Sequence, residues 1–99
     1  MDCNTVYLTG KFASSGPLRY SPAGIPIAEF RLFHSSTQIE GGTVRKIEFE
    51  IGGMAVADVA IALSGLKTGK PIRLEGFLAK KSPKSGELVF HTTHFELIG

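Results

Sequence analysis

Ninety-nine residues, 42% of them hydrophobic and 20% charged, suffice for one packed core and argue against a disordered chain. The longest apolar run, 54–63, is interrupted by Asp58 and falls far short of the ~20 residues a membrane-spanning helix needs. No signal-like basic flank with an apolar stretch follows Met1, and the single Cys3 excludes an internal disulfide and a cysteine zinc site, so a cytoplasmic protein with no membrane partner is expected.

The net charge of +2 is unevenly spread: residues 1–64 carry five Lys/Arg against six Asp/Glu, whereas 65–86 carry Lys67, Lys70, Arg73, Lys80, Lys81 and Lys84 against Glu75 alone. Polyanion binders leave such a footprint, and so do solvated loops that keep a protein soluble.

Period-two alternation dominates the chain. Val6, Leu8, Gly10 and Phe12 form the inward set of a first strand, which Ser15-Gly16-Pro17 breaks or bulges before Leu18-Arg19-Tyr20 resumes it. Ser21-Pro22-Ala23-Gly24 is a turn, with proline presetting φ at its second position. A second strand, about 26–35, points Ala28, Phe30 and Leu32 inward and Glu29, Arg31 and Phe33 outward. Glu40-Gly41-Gly42-Thr43 is a hairpin loop, and Ile47, Phe49 and Ile51 are the core face of a third strand that Gly52-Gly53 is expected to end. Alanine-rich 54–64 predicts a short helix, with Val56, Val59, Leu63 and Leu66 at three- and four-residue steps and Gly65 as its stop. A fourth strand presents Ile72, Leu74, Gly76 and Leu78 to the core. A basic loop, 80–86, leads to a fifth strand over about 87–98, and the chain stops at Gly99, one residue beyond it.

Three strands, one helix and two strands, with the helix between strands 3 and 4, is the layout of an all-β, five-stranded Greek-key OB-fold barrel. The whole of 1–99 is expected to be a single OB-fold domain. So small a barrel fills its interior with side chains, which leaves the outer face and the loops for ligands.

Catalysis finds no support in the residues. His91 and His94 are three apart in a strand, where strict alternation sends the rings to opposite faces, so a shared metal is not expected. Cys3 has no evident activating base, and no glycine-rich phosphate loop precedes a helix. No catalytic residue, metal or cofactor is expected.

Leu18-Arg19-Tyr20-Ser21-Pro22-Ala23-Gly24-Ile25-Pro26, followed by Ala28-Glu29-Phe30, resembles a segment of bacterial single-stranded DNA-binding proteins. The proline two residues after glycine is the form found in the PriB family of primosomal replication proteins. Matches continue at His34-Ser35, Val44-Arg45, Glu75-Gly76-Phe77-Leu78 and Phe95-Glu96-Leu97-Ile98, along nearly the whole chain. Single-stranded DNA-binding proteins proper continue past the barrel into an acidic-tipped tail, and with the sequence ending at Gly99 no such tail is expected here. The resemblance implies a homodimer of OB folds that binds single-stranded DNA in replication restart, stimulates the PriA helicase and helps recruit other primosome proteins. Where some members of the family present a tryptophan on the exposed face of strand three, this chain has Glu48, which implies modest DNA affinity.

Single strands are held by cations along the phosphates and by aromatic faces under the bases. Lys80, Lys81 and Lys84 occupy the loop between strands four and five, one of two loops that OB folds use for nucleic acid. Arg19, Arg31, Arg45 and Lys46 extend the candidate track or are ordinary surface charges. Phe33 is the first stacking candidate, its alternative being burial at a dimer interface or under a loop; Tyr20 and Phe77 carry the same ambiguity. Two other readings stay open: a protein-interaction OB module with weak or no DNA binding, and a short single-stranded DNA-binding protein.

Overall fold

The alternating segments pair as strands because each has one apolar face to bury. In the computed structural model, which describes residues 2–98, they are β1 (Val6–Ser15), β2 (Arg19–Tyr20), β3 (Pro26–Glu40), β4 (Thr43–Val56), β5 (Pro71–Lys80) and β6 (Leu88–Leu97), with helix α1 (Asp58–Ser64) between β4 and β5. Met1 and Gly99 lie outside the described residues, and with them the expectation about where the chain stops.

The sheet order is β1-β5-β6-β4-β3-β2, and β1 pairs with β3 as well, closing five strands into a barrel. The two-residue β2 lies outside the ring, bonded only to β3 at Ile27 and Pro26. All pairings are antiparallel except β4 with β6, which run parallel at Gly53↔Phe90 and Met54↔His91. Disregarding β2, the helix falls between the third and fourth barrel strands, as the OB layout requires.

The interior holds Phe12, Ala28, Phe30, Leu32, Ala55, Ile72, Leu74 and Phe90, with Ala60 and Leu63 of α1 closing one side. Phe12 and Phe30 meet edge to face with centroids 4.9 Å apart. Leu32, Ile72, Leu74 and Phe90 are fully enclosed, and burial of such a side chain contributes ~1.5–3 kcal/mol.

Four details depart from the sequence reading. Gly52-Gly53 do not end the third barrel strand. They stay in register with Arg31 and Phe30, and β4 continues to Val56. These glycines mark close approach rather than a break: a Cβ at Gly53 would run into the Phe30 ring, and one at Gly52 would stand 3.4 Å from the Arg31 guanidinium. The helix therefore starts at Asp58 instead of 54. Ala57 makes the corner at φ 61°, its N–H donating to the Pro26 carbonyl at 2.9 Å. At seven residues α1 is too short to persist alone, and Ala60 and Leu63 hold it on the sheet.

Phe49 is the third departure. It is 38% exposed and packs against the His34 ring, centroids 4.9 Å apart, instead of entering the core. Here β3 and β4 leave the barrel together as a long hairpin arm, so inward alternation no longer finds an interior. His34 itself is buried and tied down: Nδ1–H donates to the Thr9 carbonyl at 2.7 Å, which leaves Nε2 to accept from the Ser36 hydroxyl at 2.8 Å. The arm turns at Gly41 and Gly42, both at positive φ, and carries Ile39 and Val44 exposed opposite each other near its tip.

The fourth departure concerns the two histidines of β6. A bulge leaves Thr93 without a partner, since Glu75 faces His94 but Gly76 faces Thr92. That extra residue puts His91 and His94 on the same outer face, not on opposite ones. They still serve different neighbours: His91 lies against Phe77, and His94 Nδ1 is 3.9 Å from Glu75. Among the described residues, no group of three or more His, Cys, Asp or Glu could hold a metal ion.

Candidate nucleic-acid interface

The outer face of β3, β4 and β6 forms the floor of an open groove of about 650 Å³. Ser14, Gly16 and Arg19 wall one side, from the end of β1 and the connection to β3. Lys80, Lys81 and Glu87 wall the other, from the loop between β5 and β6. The first wall is shaped by the Ser21–Gly24 turn: Gly24 donates to the Ser21 carbonyl at 2.8 Å and sits at φ 83°, which glycine tolerates without a Cβ penalty. The second is closed by Lys81 N–H on the Glu87 carbonyl at 2.9 Å, with the Lys80 ammonium donating to the Pro83 carbonyl at 3.0 Å. Gly52 lies in the floor, and its missing side chain leaves room for the Arg31 guanidinium.

Arg19, Arg31, Lys80 and Lys81, dispersed in sequence, thus converge on one concavity, four cations against the two carboxylates Glu29 and Glu87. The carboxylates do not lock the cations away. Arg19 pairs with Glu29, Arg31 with Glu50 at 3.3 Å and Lys81 with Glu87 at 3.7 Å, all with half-exposed side chains. Exposed pairs of this kind are worth ~0–1 kcal/mol, so an incoming phosphate can displace them at small cost.

The remaining candidates lie elsewhere. Lys84 stands on the loop without lining the groove. Arg45 and Lys46 ride the hairpin arm, paired with Glu40 and Glu48. Phe33 is 36% exposed between Lys11 of β1 and Glu50 of β4, outside the groove lining. Glu48 is on the outer face, 3.8 Å from Lys46.

One feature escaped the sequence reading. Phe77 of β5 and His91 of β6 stack face to face, centroids 4.9 Å apart and 3° from parallel, with His91 on the groove lining. Met54, the cross-strand neighbour of His91, and Val89 complete an apolar shelf beside the cations. Outward alternation of Phe77 and His91 was visible, but their pairing register was not.

Comparison with known proteins fits this geometry. A family model described as another single-strand binding protein family matches residues 4–94. Replication restart protein PriB of Nitrosomonas europaea is 39% identical over 95 residues, covering 96% of this chain and 88% of the relative. The chain belongs to the PriB family of single-strand binding proteins. PriB of Bordetella pertussis is 33% identical over 88 residues, covering 89% of this chain and 82% of the relative. A solved PriB structure from Ralstonia solanacearum superposes with a TM-score of 0.87 at 31% identity, covering 97% of this chain and 98% of that one. The PriB likeness therefore extends over barrel, arm and loops alike.

Proposed function

We propose that this chain is a non-catalytic, single-stranded DNA-binding accessory protein of replication restart, acting in the cytoplasm as one OB domain over 1–99. The observation that carries the reading is the convergence of Arg19, Arg31, Lys80 and Lys81 on one groove between the two loops that OB folds use for nucleic acid, beside the Phe77–His91 stack. Lys84, Arg45, Lys46 and Phe33 extend the path along the loop and the hairpin arm in this reading. Anisotropy titration of a fluorescent oligo-dT at two salt concentrations, with duplex of equal length as control, tests it. The expected result is preference for the single strand and affinity that falls with salt; equal or absent binding of both would refute it.

Partnership with a PriA-type helicase and other primosome proteins belongs to the same proposal. So does a homodimer. From Val6 to Leu8, β1 is bonded to β5 on one side while its other edge is unpaired with β3, and Tyr7 there is 65% exposed; from Thr9 on, that edge meets β3 through the His34 bond to the Thr9 carbonyl. Free strand edges are covered in stable proteins, and a second copy offers a matching edge. Light scattering after gel filtration is expected to give about twice 10.6 kDa; a monomer at tens of micromolar would remove the dimer from the proposal.

One observation favours a protein-interaction module instead: Glu48 and Glu50 stand on the outer face of β4 and engage Lys46 and Arg31. That reading requires the isolated protein to leave oligo-dT unbound in the same titration.

A further inference from the structure

A second pocket opens at the opposite end of the barrel. It measures about 250 Å³ and is lined by Phe12, Leu66, Ile72 and Leu97, with Gly65, Lys67 and Lys70 at its edge. β5 carries Lys80 at the groove end and Ile72 at this end, and β6 carries Val89 and Leu97 in the same sense. Along β5 and β6 the lining residues of the two sites stand eight positions apart, roughly 25 Å at ~3.3 Å per residue. On the β1 side, by contrast, Phe12 of the pocket and Ser14 of the groove are two residues apart, with Phe12 touching Phe30 of the groove lining.

Among the described residues some cations lie beside a carboxylate and others do not; Lys80 of the groove, bonded to the Pro83 carbonyl, is of the second kind. Arg19, Arg31, Arg45, Lys46, Arg73 and Lys81 each lie beside a carboxylate. Lys67 and Lys70 form no salt bridge with any carboxylate of the described residues, and no acidic side chain lines their pocket. Two unneutralised ammonium groups over an apolar hollow attract a ligand that is anionic outside and apolar at its centre. The volume lies below the ~300–1,000 Å³ of sites for drug-sized molecules and suits one large side chain. Apart from the lysines, the lining side chains carry no polar group to read the edge of a base, which favours a peptide over a nucleotide.

We infer that this pocket docks an acidic segment of a partner protein, with one aromatic or large aliphatic side chain seated between Phe12, Leu66, Ile72 and Leu97 and flanking carboxylates on Lys67 and Lys70. The chain then binds DNA at one end of its barrel and a protein at the other.

The probe is a fluorescein-labelled hexapeptide with a single phenylalanine among five aspartates and glutamates, titrated by anisotropy with the full chain. Saturable binding is expected, at least tenfold weaker for the Lys67→Ala/Lys70→Ala protein and at least tenfold weaker for the peptide with alanine in place of phenylalanine. The Lys80→Ala/Lys81→Ala protein is expected to bind it as the parent does, and excess oligo-dT to leave it bound. No saturable binding, or equal affinity for the alanine peptide, would overturn the proposal. So would displacement by oligo-dT, which would assign the pocket to the nucleic-acid path.

Discussion

Replacing Lys80, Lys81 and Lys84 together with alanine is expected to weaken binding of oligo-dT about a hundredfold at 0.1 M salt and to flatten the slope of log K against log[salt] by ~2. Each lost phosphate contact on a single strand removes ~0.7 from that slope, because one fewer set of counterions is released. Extrapolated from 1 M salt, where release contributes nothing, three contacts amount to about two decades at 0.1 M. The structure divides the effect unequally. Lys80 and Lys81 line the groove, whereas Lys84 stands outside it, so Lys84→Ala alone is expected to account for the smallest share. The variant keeps the backbone Lys81–Glu87 and Ser85–Ser82 bonds of the loop and loses the Lys80 ammonium's bond to the Pro83 carbonyl and the Lys81–Glu87 ion pair. Anisotropy titrations at three or more salt concentrations provide the slopes; a triple variant with the parent's slope would make the loop a solubilising feature only.

The largest loss of stability from a single methyl group is expected at Gly76. Its position is buried on β5, and a Cβ there would fall on the backbone carbonyl of His91 across the ladder, with the Thr92 Cα only 3.1 Å away. Neither obstacle is a side chain that can rotate aside. Accommodation requires β5 and β6 to part where the Thr93 bulge already interrupts their pairing and where Phe77 and His91 stack. Overpacking of a well-filled site costs ~1–3 kcal/mol, and Gly76→Ala belongs at the upper end. For a chain of this size that lowers Tm by roughly 10–20 °C. Gly86→Ala is the control, because nothing lies within 4 Å of a Cβ there and its φ is not positive. A change within ~0.5 kcal/mol is expected for that surface position. Thermal melts of the three proteins decide the matter; a Gly76→Ala protein melting with the parent would show that the two strands separate easily at the bulge.

Alternation in the sequence determined the barrel strands and most of their inward residues, since which face a side chain takes follows from a two-residue repeat that needs no distant partner. Phe12, Phe30, Leu32, Ile72 and Leu74 all lie where that repeat puts them. The hairpin at Gly41-Gly42 was legible for the same local reason, two glycines in a row at positive φ. Pairing across the sheet decided the rest. Residues 54–57 have the composition of a helix, yet pairing with β3, ending in the bond from Ala57 N–H to the Pro26 carbonyl, keeps them extended until Ala57 turns. Phe49 obeys the repeat but lies where the hairpin has left the barrel, so its inward side meets His34 in place of a core. One unpaired residue, Thr93, reversed the expected facing of His94, and nothing near it in sequence announces a bulge. The groove depends most on tertiary structure. Arg19 and Arg31 reach Lys80 and Lys81 only because β4 and β6 run side by side in parallel and bring both walls around one floor. Local propensity acts over a few residues, whereas a binding surface of this kind is set by strand register between segments far apart in the chain.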